Sequence, residues 1–84
     1  MAVSVSSKVS RIYPDEANCY IRLKAPAYRP KSGYFRLPLS HPNYNSLYSL
    51  AVVAAVIGYT LQIRTFSAIV GTAFAEVAYM YVDW

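Results

Sequence analysis

Alternating apolar and polar residues run through the first half of the chain and predict its first strands. Val3, Val5 and Val9 fall on one face while serine and lysine side chains fall on the other, and the pattern continues to residue 13. Residues 14–18 contain the proline, aspartate and asparagine typical of a turn. The alternation that resumes over residues 19–24 therefore predicts a hairpin.

A loop and a short third strand follow the hairpin. Residues 25–33 contain two prolines, which lack the N–H that a sheet requires, and we expect this segment to be irregular. Residues 34–37 return to a strand pattern, and Pro38 ends it.

A helix is predicted in the middle of the chain. Ser40 and Asn43 are alternative N-caps, Pro42 suits the first turn, and Gly58 stands where a left-handed C-terminal residue is expected. Residues 50–57 contain no polar side chain, so the helix is apolar on every side. Such a helix is normally buried on every side, which a domain of this size scarcely achieves alone.

Two further strands are predicted after the helix, over residues 60–66 and 74–84. Both faces of the last strand are apolar, which is typical of a strand that is central in its sheet or covered by another chain. The two predicted faces are formed by Val77, Tyr79 and Tyr81 and, opposite them, by Ala78, Met80 and Val82.

The order strand, strand, strand, helix, strand, strand predicts the fold class. Its 84 residues allow one small core, so we expect a single domain spanning residues 1–84. A mainly β fold with one helix between the third and fourth strands suits a small five-stranded OB-like antiparallel barrel, in which the long first strand can bend into two. The alternative is an α+β fold with the helix packed on an open antiparallel sheet.

Composition adds the expectation of a partner. Apolar residues make up 56% of the chain and charged residues 14%, against usual levels of about 45–50% and about 25%. Because so short a chain cannot bury this excess alone, we expect a homo-oligomer. The predicted interface comprises Leu47, Leu50, Val53, Ala54, Ile57, Val77, Tyr79 and Tyr81.

Charge points to the first half of the chain as the ligand-binding part. The net charge is +4, and seven of the eight basic residues lie between Lys8 and Arg36. They are spread singly, which suits a solvated basic face better than a nucleic-acid site. Tyrosine and arginine combine flat apolar surfaces with hydrogen-bond donors. The candidate ligand-binding residues are Tyr20, Arg22, Tyr28, Arg29, Tyr34 and Arg36, and Tyr13, Tyr44 and Tyr48 are further tyrosines suggested for ligand contact.

Catalytic chemistry has little support in the sequence. Cys19 is the only cysteine and His41 the only histidine, which leaves no disulfide and no thiolate cluster for a metal. A nucleophile–base pair of these two residues would need an orienting group and an oxyanion site that no motif indicates. We expect neither catalytic residues nor a cofactor or metal.

The apolar segments are too short for a membrane-spanning helix. The longest, residues 47–59, falls below the roughly 18–20 residues that a span requires. The first ten residues lack the apolar region of a secretory signal. We expect a cytoplasmic protein, or an exported one if Met1 replaces a cleaved signal peptide.

One passage resembles a known family. It consists of Tyr44, Asn45, Leu47, Tyr48, Leu50 and Ala51, then Gly58, and then Thr60, Leu61, Gln62, Ile63 and Arg64. This helix, turn and strand are similar to those of the cell-binding B subunits of pentameric bacterial toxins. The resemblance implies a bacterial origin, an OB fold, a ring of helices around a pore, and binding of surface glycans. Other small, uncharacterised bacterial proteins are expected to share the strand at residues 33–37 and the helix start at residues 41–44.

Two functional hypotheses follow. The first is a non-enzymatic homo-oligomeric module that binds a glycan or a protein surface. The alternative is a single-stranded nucleic-acid-binding OB-fold protein, which requires Tyr20 and Arg22 to lie beside Tyr34 and Arg36 on the outer strands.

Overall fold

The computed structural model describes residues 3–66 and 68–83 and contains the predicted elements in the predicted order. They are β1 (Ser4–Pro14), β2 (Asn18–Leu23), β3 (Phe35–Pro38), α1 (Tyr44–Ile57), β4 (Thr60–Thr65) and β5 (Ala75–Tyr81). The last strand ends earlier than predicted, at Tyr81, and Trp84 lies outside the described residues.

The five strands close into a barrel in the order β1, β2, β3, β5, β4. The OB-like barrel is thus confirmed, and the alternative of an open sheet is wrong. Four of the neighbouring pairs are antiparallel, but β3 and β5 are parallel, with Phe35 opposite Ala75 and Arg36 opposite Glu76. This pair can be parallel because α1 and β4 carry the chain back across the barrel between them.

Strand β1 bends as expected and pairs with two neighbouring strands. Its first half pairs with β4, from Ser4 to Lys8, and its second half pairs with β2. The change occurs at a β-bulge, where Val9 lies opposite Leu23 and Arg11 opposite the adjacent Arg22. The bulge carries one extra residue, Ser10, whose hydroxyl donates to the Arg22 carbonyl.

The core fills the barrel and the space beneath the helix. Inward-pointing residues alternate along the strands except where a β-bulge interrupts the pattern, and the largest fully buried side chain is Phe35. Helix α1 contributes Leu47, Ala51 and Ala54, and the small side chains of the two alanines leave room for the helix to pack against the barrel. Gly58 ends the helix in the left-handed conformation, at φ 86°, and donates to the Ala54 carbonyl.

The outer side of α1 remains uncovered by its own chain. Val53, Val56 and Ile57 are 48%, 80% and 58% exposed. The expectation that this helix is buried on every side is therefore not met within one chain. Among the described residues no helix has both the length and the hydropathy to cross a membrane.

A second bulge changes the faces of β5. Arg64 lies opposite Tyr79 while the next residue, Thr65, lies opposite Val77, so Ala78 is the extra residue. The prediction that Val77 shares a face with Tyr79 and Tyr81 is wrong, because the bulge rotates the strand between them. Val77 points into the core and both tyrosines point outward.

His41 links this bulge to the start of α1. Its Nε2 lies 3.0 Å from the Ala78 carbonyl, and its Nδ1 accepts a hydrogen bond from the Asn43 N–H at 3.1 Å. Asn43 is the N-cap, but its side chain makes no capping bond. His41 therefore supplies the acceptor at this helix terminus that a capping side chain would normally provide.

Candidate ligand-binding face

The outer face of β1, β2 and β3 brings most of the predicted ligand-binding residues together. Tyr20 lies opposite Tyr13 on one side and opposite Arg36 on the other. Arg22 lies opposite Arg11, on the same outward face. The strand register therefore brings Tyr20, Arg22 and Arg36 onto one outer surface, as the nucleic-acid hypothesis requires. We call this surface the ligand-binding face.

Four rings form an aromatic cluster on this face: Tyr13, Tyr20, Tyr34 and Phe74. Tyr13 stacks on Tyr20 with 4.8 Å between ring centroids, and Tyr34 meets Tyr13 edge-on at 5.2 Å. Phe74 lies 5.3 Å from Tyr20. Tyr20 is only 9% exposed beneath these rings, whereas Tyr13 is 41% exposed. Tyr20 therefore supports the surface, and Tyr13, a further tyrosine that the sequence suggested for ligand contact, presents the open ring.

Arg36 is held by its own chain. Its guanidinium forms an ion pair with Glu76, with Nε donating to Oε1 at 2.8 Å, and lies 5.1 Å from the Phe74 ring centre. The hydrogen bond to Glu76 raises the pKa of Arg36 above its usual value. Because the Glu76 carboxylate and the Phe74 ring already contact the guanidinium, Arg36 has fewer free hydrogen-bond donors for a ligand than the neighbouring arginines.

A basic depression lies next to the aromatic cluster. It has a volume of about 360 Å³ and is lined by Ser10, Arg11, Arg22, Leu23, Lys24 and Arg29. Two of its cations are oriented by hydrogen bonds: Arg29 donates to the Lys24 carbonyl at 2.6 Å, and Arg11 to the Tyr34 hydroxyl at 3.3 Å. Arg11 is thus a residue of this face that was not predicted, whereas the suggested Tyr44 and Tyr48 lie on α1 rather than on this face.

The basic depression has no carboxylate in its lining. In the part of the chain that the structure describes, the one ion pair is that of Arg36 with Glu76. Asp15 accepts hydrogen bonds from the Ala17 and Asn18 N–H groups, which lower its pKa, and Asp83 accepts one from Gln62. The cations of the depression are therefore free of intramolecular ion pairing across residues 3–66 and 68–83.

Tyr28 lies away from the other predicted ligand residues. It lines an apolar groove of about 410 Å³ together with Val3, Ser4, Arg64, Ala68, Ile69 and Val70. Its sequence neighbour Arg29 instead lines the basic depression. The structure thus divides this predicted pair between two surfaces.

The predicted interface residues also divide into two sets. Leu47, Ala54 and Val77 are buried in the core of their own chain, so their assignment to an interface is wrong. Leu50 is partly buried against the core. The exposed residues of the predicted set are Val53, Ile57, Tyr79 and Tyr81, and the most exposed apolar side chain beside them is the unpredicted Val56.

Cys19 and His41 both have structural roles. Cys19 is fully buried in the core, and burial raises its pKa to about 11. His41 bonds two backbone groups, as described above. Among the described residues, no three histidine, cysteine or acidic side chains come close enough to hold a metal ion.

The chain matches no protein-family model, no curated protein and no solved structure. The resemblance to toxin B subunits stays a prediction from the sequence. The chemistry available at the ligand-binding face is an open tyrosine ring beside cationic hydrogen-bond donors, which suits recognition of a ligand.

Proposed function

We propose that this chain is a non-enzymatic binding module that works as a homo-oligomer and holds its ligand on the ligand-binding face. The observation that carries the proposal is the presence of two chemically different exposed surfaces. Aromatic and basic residues lie on β1 to β3, whereas exposed apolar residues lie on α1 and β5. The two surfaces meet at a groove of about 390 Å³ that Arg11 and Val56 both line, so a copy bound on the helix would lie beside the basic residues.

The apolar surfaces support association between copies of the chain. Val53, Val56 and Ile57 lie on the helix, while Tyr79 and Tyr81, stacked at 6.5 Å, lie on the sheet. Two different patches suit a head-to-tail contact, in which one patch of each copy meets the other patch of its neighbour. Repeated contacts of that kind close into a ring when the rotation permits, as the resemblance to pentameric B subunits implies.

The ligand-binding face supports recognition of a glycan or a protein surface. Tyr13 offers a flat apolar ring that is already packed on Tyr20, so little side-chain freedom is lost when a ligand covers it. Arg11 and Arg22 offer planar groups of donors beside that ring.

The oligomer is tested by light scattering at micromolar concentration. We expect the wild-type mass to be two or more times the 9.4 kDa of one chain. Ile57→Glu should lower the mass toward that of one chain, because burying an unpaired carboxylate in an interface is strongly unfavourable. Val70→Glu is the matched control, since Val70 is 68% exposed and lies outside the helix patch. A wild-type mass equal to one chain would contradict the proposal.

Single-stranded nucleic acid is a second candidate ligand, and the register of β2 and β3 favours it. Tyr20 lies directly opposite Arg36, which brings the aromatic and basic residues of the two strands onto one outer face. Stacking platforms beside backbone-binding cations are the usual means by which OB-fold proteins hold single strands.

Retention of an oligonucleotide tests this candidate. Binding of oligo-dT should weaken as salt rises, and Arg22→Ala should weaken it more than Arg36→Ala, because Arg36 already bonds Glu76. Arg64→Ala is the control of equal charge change, since Arg64 lies on β4 and donates to Ser4. Failure of the wild-type protein to retain oligo-dT even at low salt would exclude this candidate.

A further inference from the structure

Two arginines face each other across β1 and β2 without a counter-charge. Arg11 and Arg22 are direct cross-strand partners, and like charges in that position destabilise an antiparallel pair. Lys24 and Arg29 line the same depression, and the lining contains no carboxylate. Four positive groups thus converge at a place where no ion pair among the described residues neutralises them.

The first bulge creates this convergence. In a strand without a bulge, Val9 and Arg11 would share the inward face, and the bulge at Ser10 instead turns Arg11 outward beside Arg22. Bulges that re-aim a side chain are over-represented at binding sites. Hydrogen bonds to the Tyr34 hydroxyl and the Lys24 carbonyl orient Arg11 and Arg29. These two side chains therefore lose less conformational freedom when a ligand binds.

The chemistry of the lining selects the ligand. Arginine and lysine offer only hydrogen-bond donors, so a group that fills this depression must carry several acceptors and negative charge. Arginine guanidinium groups bind phosphate with two parallel hydrogen bonds, which a neutral sugar hydroxyl cannot match. The open shape of the depression suits a charged group that belongs to a larger ligand.

We infer that the basic depression is an oxyanion site that binds the phosphate or sulfate group of an ester ligand through Arg11, Arg22, Lys24 and Arg29. This inference rests on the proposed function, since it names the chemical class of the ligand of that face. The hydrogen bond from Arg11 to Tyr34 joins the depression to the aromatic cluster. The remainder of the ligand lies over the exposed Tyr13 ring.

The test is an NMR titration with inorganic phosphate and, separately, inorganic sulfate at constant ionic strength in chloride. We expect the side-chain N–H signals of Arg11 and Arg22 to shift together and saturate with one dissociation constant. Arg11→Ala and Arg22→Ala should each weaken that constant at least about tenfold, the effect of losing one charge-assisted pair. Lys31→Ala removes the same charge outside the lining and should leave it unchanged.

Thermal unfolding of Arg11→Ala and Arg22→Ala tests whether the two variants are folded. Because each arginine substitution relieves a repulsion, both variants should melt in chloride at or above the wild-type temperature, and phosphate should raise their melting temperatures less than that of the wild type. Shifts that fail to saturate, or equal binding by wild type and both arginine variants, would overturn the oxyanion site.

The source of the anion is distinguished by two further titrations, with a sulfated heparin oligosaccharide and with oligo-dT. Tighter binding of the first assigns the site to a sulfated glycan, and tighter binding of the second assigns it to a nucleic-acid backbone. The assembly is measured independently by light scattering in phosphate-free buffer. A single-chain mass with saturable phosphate binding contradicts the oligomer alone, and an oligomer that does not bind phosphate contradicts the oxyanion site alone.

Discussion

Replacement of Phe35 by alanine should lower the free energy of unfolding by about 3–5 kcal/mol, the usual cost of removing a fully buried phenylalanine. Phe35 has no exposed surface and lies opposite both Ile21 and Ala75, at the junction where β3 joins the two parts of the barrel. Domains of this kind are stable by about 5–15 kcal/mol, so the variant should be partly unfolded without denaturant. Urea unfolding followed by circular dichroism measures the loss.

Phe66→Ala is the matched control for this experiment. Phe66 is the same residue type but is 64% exposed, so its removal should change the free energy of unfolding by no more than about 0.5 kcal/mol. Both variants must be compared at one protein concentration, because association adds to apparent stability. Equal losses in the two variants would contradict the assignment of Phe35 to the centre of the core.

Alkaline pH should destabilise the protein through Cys19. Burial raises the pKa of this thiol from 9.0 to about 11, so the folded protein retains a proton that the unfolded chain releases. The contribution of the protonated thiol to the free energy of unfolding is fully present below pH 9 and is lost as pH rises toward 11. Two units of pKa correspond to roughly 3 kcal/mol at the upper end of that window. Urea midpoints between pH 8 and 11, measured with a reducing agent present, report the slope.

The Cys19→Ala variant isolates the contribution of the thiol. It should be less stable at pH 8 because a small cavity remains, but its stability should fall less steeply between pH 9 and 11. Burial also raises the pKa of Tyr44, so a residual slope from tyrosine ionisation should persist in both proteins. Identical pH dependence with and without the thiol would show that Cys19 is not buried as described.

Much of the barrel could be predicted because one face of most strands meets water. Strands β1 and β2 alternate visibly, and Pro14 and Pro26 lie at or soon after their ends. In β5 both faces are apolar, so the pattern contains nothing that locates the bulge at Ala78. The assignment of Val77 to the outer face failed for that reason.

The candidate site was predictable only in part, because two features depend on pairing between distant residues. Tyr20 and Arg36 become neighbours through the register of β2 and β3, which alternation within each strand does not determine. Arg11 was missed because strict alternation places it on the same face as Val9. The bulge at Ser10 exchanges the two faces beyond that point, and a local pattern of serine and valine does not indicate it.

The double pairing of β1 also constrains the order in which a growing chain can fold on the ribosome. The second half of β1 can form its hairpin as soon as β2 has been synthesised, since few residues separate them. The first half must wait for β4, because Ser4 pairs with Arg64, and the ring closes only after β5 joins β3 and β4. During synthesis the early hairpin therefore presents an unpaired edge from Ser4 to Lys8, where the three serines and a charged lysine discourage pairing with other nascent chains.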